Sequence, residues 1–211
     1  TARDLWFSDQ ASATATYGHI RDWNVTGVTN MGNAFKDKTT FDENISGWDV
    51  SNVSTMESMF EDASAFNQFI GDWNTSRVSN MRNMFQGATA FNQPVGDWNV
   101  SSVSNMHDMF KGASSFNQPI GNWETSSVTS MWAMFWYALA FDQDLSDWNV
   151  PAVTNMTNIF HHANALSNAH KGLIHSSFSS NSNWNTDWST HVPAPASLTN
   201  ANFQTAVDLW C

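Results

Sequence analysis

The sequence predicts an α/β protein: a β/α solenoid of six 25-residue coils, each with a short parallel strand and a short helix, between helical N- and C-terminal caps. The main observation is a tryptophan that recurs every 25 residues. A fixed period in this range is typical of stacked units that bury their apolar faces against one another. The six tryptophans are Trp23, Trp48, Trp73, Trp98, Trp123 and Trp148.

Further apolar ladders keep the same step, which is the second observation. Valines recur from Val28 to Val153, methionines from Met31 to Met156 and phenylalanines from Phe35 to Phe160. Because each unit repeats the same apolar positions, we expect these ladders to form one continuous core.

The pattern inside each unit is the third observation. In residues 95–100 apolar and polar side chains alternate, with Trp98 and Val100 directed inward and Asp97 and Asn99 outward. Alternation of this kind predicts a short strand. The apolar residues that follow are spaced by three and four, which predicts a short helix ended by Gly112. They are Val103, Met106, Met109 and Phe110.

The chain divides into four segments: an N-terminal cap (1–17), the six coils (18–167), a C-terminal cap (168–190), and a linker with the start of a next tandem module (191–211). The last assignment depends on a match between the two ends of the chain. Thr1, Ala2, Asp4, Leu5 and Trp6 correspond to Thr205, Ala206, Asp208, Leu209 and Trp210. We therefore expect tandem copies in the parent chain.

Composition argues against several classes of function. The net charge of −11, with only eight Lys and Arg, disfavours nucleic acid as a partner. No apolar run approaches the roughly 20 residues of a membrane span, so membrane insertion of this segment is not expected. Nucleophile elbows, phosphate loops and metalloprotease motifs are missing from the sequence. These observations predict a protein that is not an enzyme.

The repeat around W-N-V-S-S-V-S-N-M, followed by M-F-x-G-A and F-N-Q-P-I-G, resembles that of the BspA-like surface proteins, a leucine-rich-repeat-type family. The resemblance covers about residues 18–167. It implies a secreted or cell-surface β/α solenoid used in adhesion or protein recognition, and it offers no catalytic residues to carry over.

One carboxylate stands beside the tryptophan in every coil. Two interpretations remain open: a stripe that binds Ca²⁺ or a cationic ligand, or side chains that hydrogen-bond neighbouring turns. Calcium is the one cofactor that the sequence suggests. The six residues are Asp22, Asp49, Asp72, Asp97, Glu124 and Asp147.

Aromatic and imidazole residues replace polar ones on the outer surface of the last coils. We call this set the aromatic patch: His107, Trp132, Trp136, Tyr137, His161 and His162. Three interpretations are open. The C-terminal Trp184 and Trp188 fold back over the patch, the patch is a platform for a protein or for sugar rings, or His161 and His162 bind a metal with His107 or His170.

These features together predict a non-enzymatic, extracellular adhesion or recognition module of a tandem-repeat surface protein, with a protein or glycan ligand at the cell surface. Carbohydrate binding through the aromatic patch is an alternative, and so is a purely structural spacer.

Overall fold

A computed structural model describes residues 1–193, and the following statements concern that part of the chain. Helices lie only near its ends: α1 (Ala2–Ser8), α2 (Gln10–Tyr17) and α3 (Asn168–Phe178), with short 3₁₀ helices at Ile20–Asp22 and Ser189–His191. Between them, six repeats of 25 residues stack on one another; they span 18–42, 43–67, 68–92, 93–117, 118–142 and 143–167. No helix in residues 1–193 has the length and apolar character needed to cross a bilayer.

The predicted β/α solenoid of strand-and-helix coils is wrong. The described residues contain no strand, only single parallel bridges between successive repeats. In the stretch predicted as a strand, the Trp98 N–H donates to the Val95 carbonyl at 3.2 Å and closes a turn. The inward and outward alternation is nevertheless present, since Trp98 is buried and Asp97 and Asn99 are exposed. Successive repeats are bridged at Asn30, Thr55, Asn80, Asn105, Ser130 and Asn155.

The predicted helix is replaced by consecutive turns whose N–H groups are shared between repeats. An α-helix would direct every N–H to the carbonyl four residues earlier. Here the intervening N–H groups of Met109 and Lys111 donate instead to the carbonyls three residues earlier and close four-residue turns. Asp108 and Gly112 have positive φ, 54° and 70°, which interrupts a right-handed helix. The alternate N–H groups donate to the next repeat at 2.7–3.0 Å: Met106 to Ser130, Asp108 to Trp132, Phe110 to Met134 and Gly112 to Trp136.

The core is built from the predicted ladders. The Phe85 ring stacks 5.5 Å from the rings of Phe60 and Phe110 in the neighbouring repeats and 4.0 Å from Phe91 in its own. All four rings are fully buried. The Trp98 indole N–H donates to the Ile70 carbonyl of the preceding repeat at 3.0 Å. Each repeat therefore completes the core of its neighbour, as stacked units require.

A ladder of amide and carboxylate side chains runs beside the phenylalanines. The Asn67 Oδ1 accepts from the Asn92 N–H at 3.0 Å, and the Asn92 Oδ1 accepts from the Asn117 N–H at 2.9 Å. The Asn117 Oδ1 continues the pattern with the Asp142 N–H at 2.8 Å. Each of these bonds satisfies a turn N–H group and joins equivalent positions of two neighbouring repeats. The bonds therefore hold successive repeats in register.

Both ends of the stack are covered. The Phe7 ring of α1 lies 6.1 Å from Phe35 and 5.8 Å from Phe41 in the first repeat. At the other end, the buried Asn181 side chain donates to the carbonyls of Val150 and Val153 at 2.6 and 2.9 Å. The predicted start of a next tandem module, residues 205–210, lies outside the described residues.

Candidate functional site

The rings of the aromatic patch form one continuous chain of contacts across the fourth, fifth and sixth repeats. Neighbouring members have centroid separations of 4.0 to 6.0 Å. The sequence had placed them in rows on the outer surface, and the structure brings all six together. The contacts are His107 to Trp132, Trp132 to Trp136, Trp136 to Tyr137 and to His161, Tyr137 to His162, and His161 to His162.

Exposure increases along the patch toward the C-terminal end. His107, Trp132 and Trp136 are half-buried, whereas Tyr137 is 46% exposed and His161 and His162 are exposed. The accessible part of the patch is therefore the Tyr137 and histidine end.

Two members of the patch occupy backbone positions that disfavour large side chains. Tyr137 has φ of 58° and His162 has φ of 60°. A left-handed conformation costs an L-residue roughly 1–2 kcal/mol, and glycine, asparagine and aspartate tolerate it best. The same position in the other repeats holds residues of those types: Asp37, Asp62, Gly87 and Gly112. Strain of this kind, when it is observed, motivates a hypothesis of function.

Lys111 lies over the tryptophan faces. Its Nζ is 4.8 Å from the centroid of the Trp136 ring and 5.6 Å from that of Trp132, within cation–π distance. The same Nζ is 3.6 Å from the Asp108 Oδ1. Lys111 thus places a positive charge on the ring faces that a flat ligand would otherwise contact.

A buried carboxylate lies under this surface. Burial raises the pKa of Asp108, whose side chain is only 8% exposed, and the same burial lowers the pKa of His107, whose Nε2 is 3.2 Å from the Asp108 Oδ2. Among the described residues, the Asp108 Oδ1 and the Trp136 Nε1 are buried without a hydrogen-bond partner. Asp108 could not be predicted from the sequence, because the equivalent position holds Ser58 and Asn83 in earlier repeats and gives no signal of burial.

The equivalent surface of the first three repeats is polar. Lys36 and Glu61 form an ion pair at 2.7 Å, and Arg82 lies 3.8 Å from Glu57. The aromatic patch is therefore a local departure from a surface of charged side chains.

The C-terminal tryptophans pack on the end of the stack. Within residues 1–193, the ring contacts of Trp184 and Trp188 are with Phe160, His175, Phe178 and each other. The fold-back interpretation placed them over the patch, and these contacts lie instead at the C-terminal face of the sixth repeat, where Trp188 borders a cavity together with His161 and His162.

The histidines do not converge on a metal site in the described residues, where no group of three His, Cys, Asp or Glu side chains is placed to hold a metal ion. His170 is 2.6 Å from the Asp142 Oδ1, at the end of the amide ladder. This hydrogen bond and those from Ser167 outweigh the effect of burial and lower the pKa of Asp142.

The carboxylates beside the tryptophans are all exposed. Those that follow the tryptophan hold their own turns: the Asp49 Oδ1 accepts from the Ser51 N–H at 3.0 Å, and Glu124 Oε1 from the Ser126 N–H at 3.2 Å. The hydrogen bonds from Ser51 lower the pKa of Asp49. Those that precede the tryptophan, Asp22, Asp72, Asp97 and Asp147, form an open row on the surface.

These observations define a class of protein built from tandem 25-residue repeats, with a constant core and a variable outer surface. The chain belongs to the family described as Mycoplasma protein of unknown function, DUF285, whose matches cover residues 6–101, 68–173 and 94–206 and so overlap along the repeats. This match does not by itself confirm the more specific resemblance to the BspA-like proteins. No curated protein and no solved structure matches the chain.

Proposed function

We propose that this protein is a non-enzymatic, extracellular recognition module of a tandem-repeat surface protein, and that it binds a protein partner through the aromatic patch. One observation supports this most: six rings form a continuous surface where the earlier repeats carry ion pairs. Exposed aromatic clusters mark interaction surfaces, and aromatic residues supply much of the energy of protein interfaces.

The backbone supports the same proposal. Tyr137 and His162 stand in left-handed positions where smaller residues cost less, so their side chains are better explained by binding than by folding. The backbones of the neighbouring repeats that carry these rings are joined by hydrogen bonds of 2.7–3.0 Å, and these bonds fix the positions of the rings. A fixed array loses little conformational entropy when a partner binds.

A protein partner fits the patch better than a sugar. Sugar rings bind by lying flat on an aromatic face, but Lys111 covers the faces of Trp132 and Trp136, and Tyr137 stacks on His162 at 4.5 Å. The remaining surface offers ring edges, imidazoles and the Lys111 charge, which suit the mixed apolar and polar contacts of a protein interface.

The test converts the surface of the fifth repeat into that of the third. Trp132→Arg, Trp136→Gln and Tyr137→Gly together reproduce Arg82, Gln86 and Gly87. Binding to a panel of purified extracellular proteins is measured by surface plasmon resonance, with a glycan array in parallel. We expect the triple variant to bind its protein partner at least about ten-fold more weakly.

The matched control removes charges from the polar repeats by Glu57→Gln and Arg82→Gln and retains binding. Unchanged protein binding by the triple variant contradicts the proposal. Glycan binding that the triple variant loses favours the carbohydrate alternative, and equal behaviour of all variants in both assays favours a spacer.

A further inference from the structure

The turns of the six repeats form four chains of aligned peptide groups that run along the stack. One chain begins at the Met31 N–H, which donates to the Thr55 carbonyl; the peptide group of that carbonyl carries the Met56 N–H, which donates to Asn80. The pattern continues to the last repeat, and parallel chains begin at Asn33, Phe35 and Asp37. In every chain the N–H groups are directed toward the C-terminal end.

The four chains end in N–H groups of the sixth repeat. The N–H groups of Met156, Asn158, Phe160 and His162 have no acceptor among residues 1–193, whereas each equivalent N–H of the fifth repeat donates to the sixth. Asn158 and His162 have φ of 60°. The intervening N–H groups of Ile159 and His161 close turns with the carbonyls of Met156 and Asn158, so the N–H groups without an acceptor are alternate ones, as in the earlier repeats. Backbone N–H groups presented together on one face can bind anions.

The alignment adds an electrostatic effect. Peptide dipoles of about 3.5 D that are joined head to tail place a partial positive charge at the N–H end, as in the α-helix macrodipole. Four parallel chains, each running through all six repeats, end at the C-terminal face of the stack. Cations favour the opposite end, and there the Arg3 Nη1 donates to the Asn33 carbonyl at 3.1 Å.

An open cavity of about 440 Å³ is lined by three of the residues that carry these N–H groups. Its wall includes Asn158, Phe160, His161, His162 and Thr186. No Asp or Glu lines it, although the chain carries a net charge of −11. The cavity thus combines hydrogen-bond donors with the absence of carboxylates along its described wall.

We propose that this cavity binds a tetrahedral oxyanion, a phosphate or sulfate group, through the N–H groups of Asn158, Phe160 and His162. The hydroxyl of Thr186 and the imidazoles of His161 and His162 supply further donors from the wall. Charge-assisted hydrogen bonds from several N–H groups are the usual means of binding such groups. The site is independent of the protein partner proposed above, although the two histidines border both surfaces.

The test follows the backbone N–H groups by ¹H–¹⁵N NMR of the full chain. Sodium phosphate and then sodium sulfate are titrated at constant ionic strength set with sodium chloride. We expect saturable shifts centred on the amides of Asn158, Phe160 and His162. Thr186→Glu places a carboxylate at the wall and weakens binding by at least about ten-fold, because it adds a like charge to the lining of the cavity.

Two further variants make the result specific. Asn158→Asp gives a similar loss, and it is compatible with the fold because Asp108 occupies the same position two repeats earlier. Thr157→Glu is the matched control: it adds the same charge in the same repeat, at a position where the second repeat holds Glu57, and affinity stays within about three-fold. The triple variant of the aromatic patch keeps the anion shifts, so failure of one proposal does not imply failure of the other.

The source of the oxyanion is resolved with a sulfated oligosaccharide and its desulfated form. Shifts of the same amides with the sulfated form alone assign the site to a glycan, and shifts with the inorganic anions alone assign it to free phosphate or sulfate. The proposal is overturned if none of these probes gives saturable shifts. It is equally overturned if Thr186→Glu and Asn158→Asp both leave the affinity unchanged.

Discussion

The outer surfaces of the second and fifth repeats differ although they lie on the same backbone. In the second repeat Glu57 and Glu61 pair with Arg82 and Lys36. In the fifth, Trp132 and Trp136 stand at those two positions and contact each other and a histidine on either side. Both repeats keep the same hydrogen bonds to their neighbours at nearly the same distances. Fold and surface are therefore specified by different residues in this protein.

The largest expected effect tests whether the two regions share one core. Phe60→Ala in the second repeat and Phe135→Ala in the fifth remove equivalent, fully buried rings. Each is expected to lower the free energy of unfolding by about 3–5 kcal/mol, because a cavity replaces lost apolar contacts. Urea unfolding measures both. A loss at Phe135 much smaller than that at Phe60 would show that the aromatic patch itself supports the fifth repeat.

The next effect concerns the ion pairs of the polar region. Glu61→Gln removes the charge that pairs with Lys36 and is expected to lower the free energy of unfolding by about 1–2 kcal/mol. This is the value of a hydrogen bond between charged groups, reduced because Lys36 is partly exposed. Glu57→Gln is the control, since its pair with Arg82 is longer and exposed, and its cost is about 0–1 kcal/mol. Equal losses of unfolding free energy in the two variants would contradict the difference expected between the two ion pairs.

The pH dependence of the same variant follows from the pKa of Glu61. Burial alone would raise that pKa, but the hydrogen bonds from Lys36, Ser58 and Asn83 and the charge of Lys36 together outweigh burial and lower the pKa below the ordinary 4.5. Since the folded state binds the proton less tightly than the unfolded state, the stabilisation is present above pH 4.5 and is lost as the pH falls through the folded pKa. Unfolding curves of the original chain and Glu61→Gln should therefore converge in acid.

The smallest expected effect is in the aromatic region. Tyr137→Asn relieves a left-handed strain of about 1–2 kcal/mol and loses a stacking contact of about 0.5–1.5 kcal/mol with His162. The free energy of unfolding should change by less than about 1 kcal/mol, whereas binding of the partner should weaken. A strongly destabilised Tyr137→Asn variant would mean that Tyr137 serves the fold rather than recognition.

Much of the core could be predicted from the sequence, because ladders such as Met106 and Phe110 repeat at a step that only stacking explains. The local elements could not. Apolar residues spaced by three and four fit an α-helix, but they fit consecutive turns equally, and the choice depends on whether an N–H such as that of Asp108 donates within its repeat or to the next. The stretch predicted as a strand, residues 95–100, similarly contains a turn closed by the Trp98 N–H and the Val95 carbonyl.

The candidate site, too, could be predicted from the sequence only in part. The members of the aromatic patch were predicted because Trp132, Trp136 and Tyr137 break a polar pattern in the sequence. The cavity beside Asn158 could not be predicted, since its donors are backbone N–H groups that every repeat possesses and only the last repeat leaves without an acceptor among the described residues.

The fixed spacing of the hydrogen bonds between repeats limits how such a chain can change in length. In the four turn positions the acceptor lies 24 residues beyond its donor, as in Met81 to Asn105, and a second set of bonds runs back to the preceding repeat, as in Ser79 to Ser54. Duplication of a whole repeat inserts a unit that fits both neighbours, whereas gain of a few residues within a repeat moves the donors that precede the insertion out of register with the acceptors that follow it. Genes for proteins of this design should therefore vary by whole numbers of repeats.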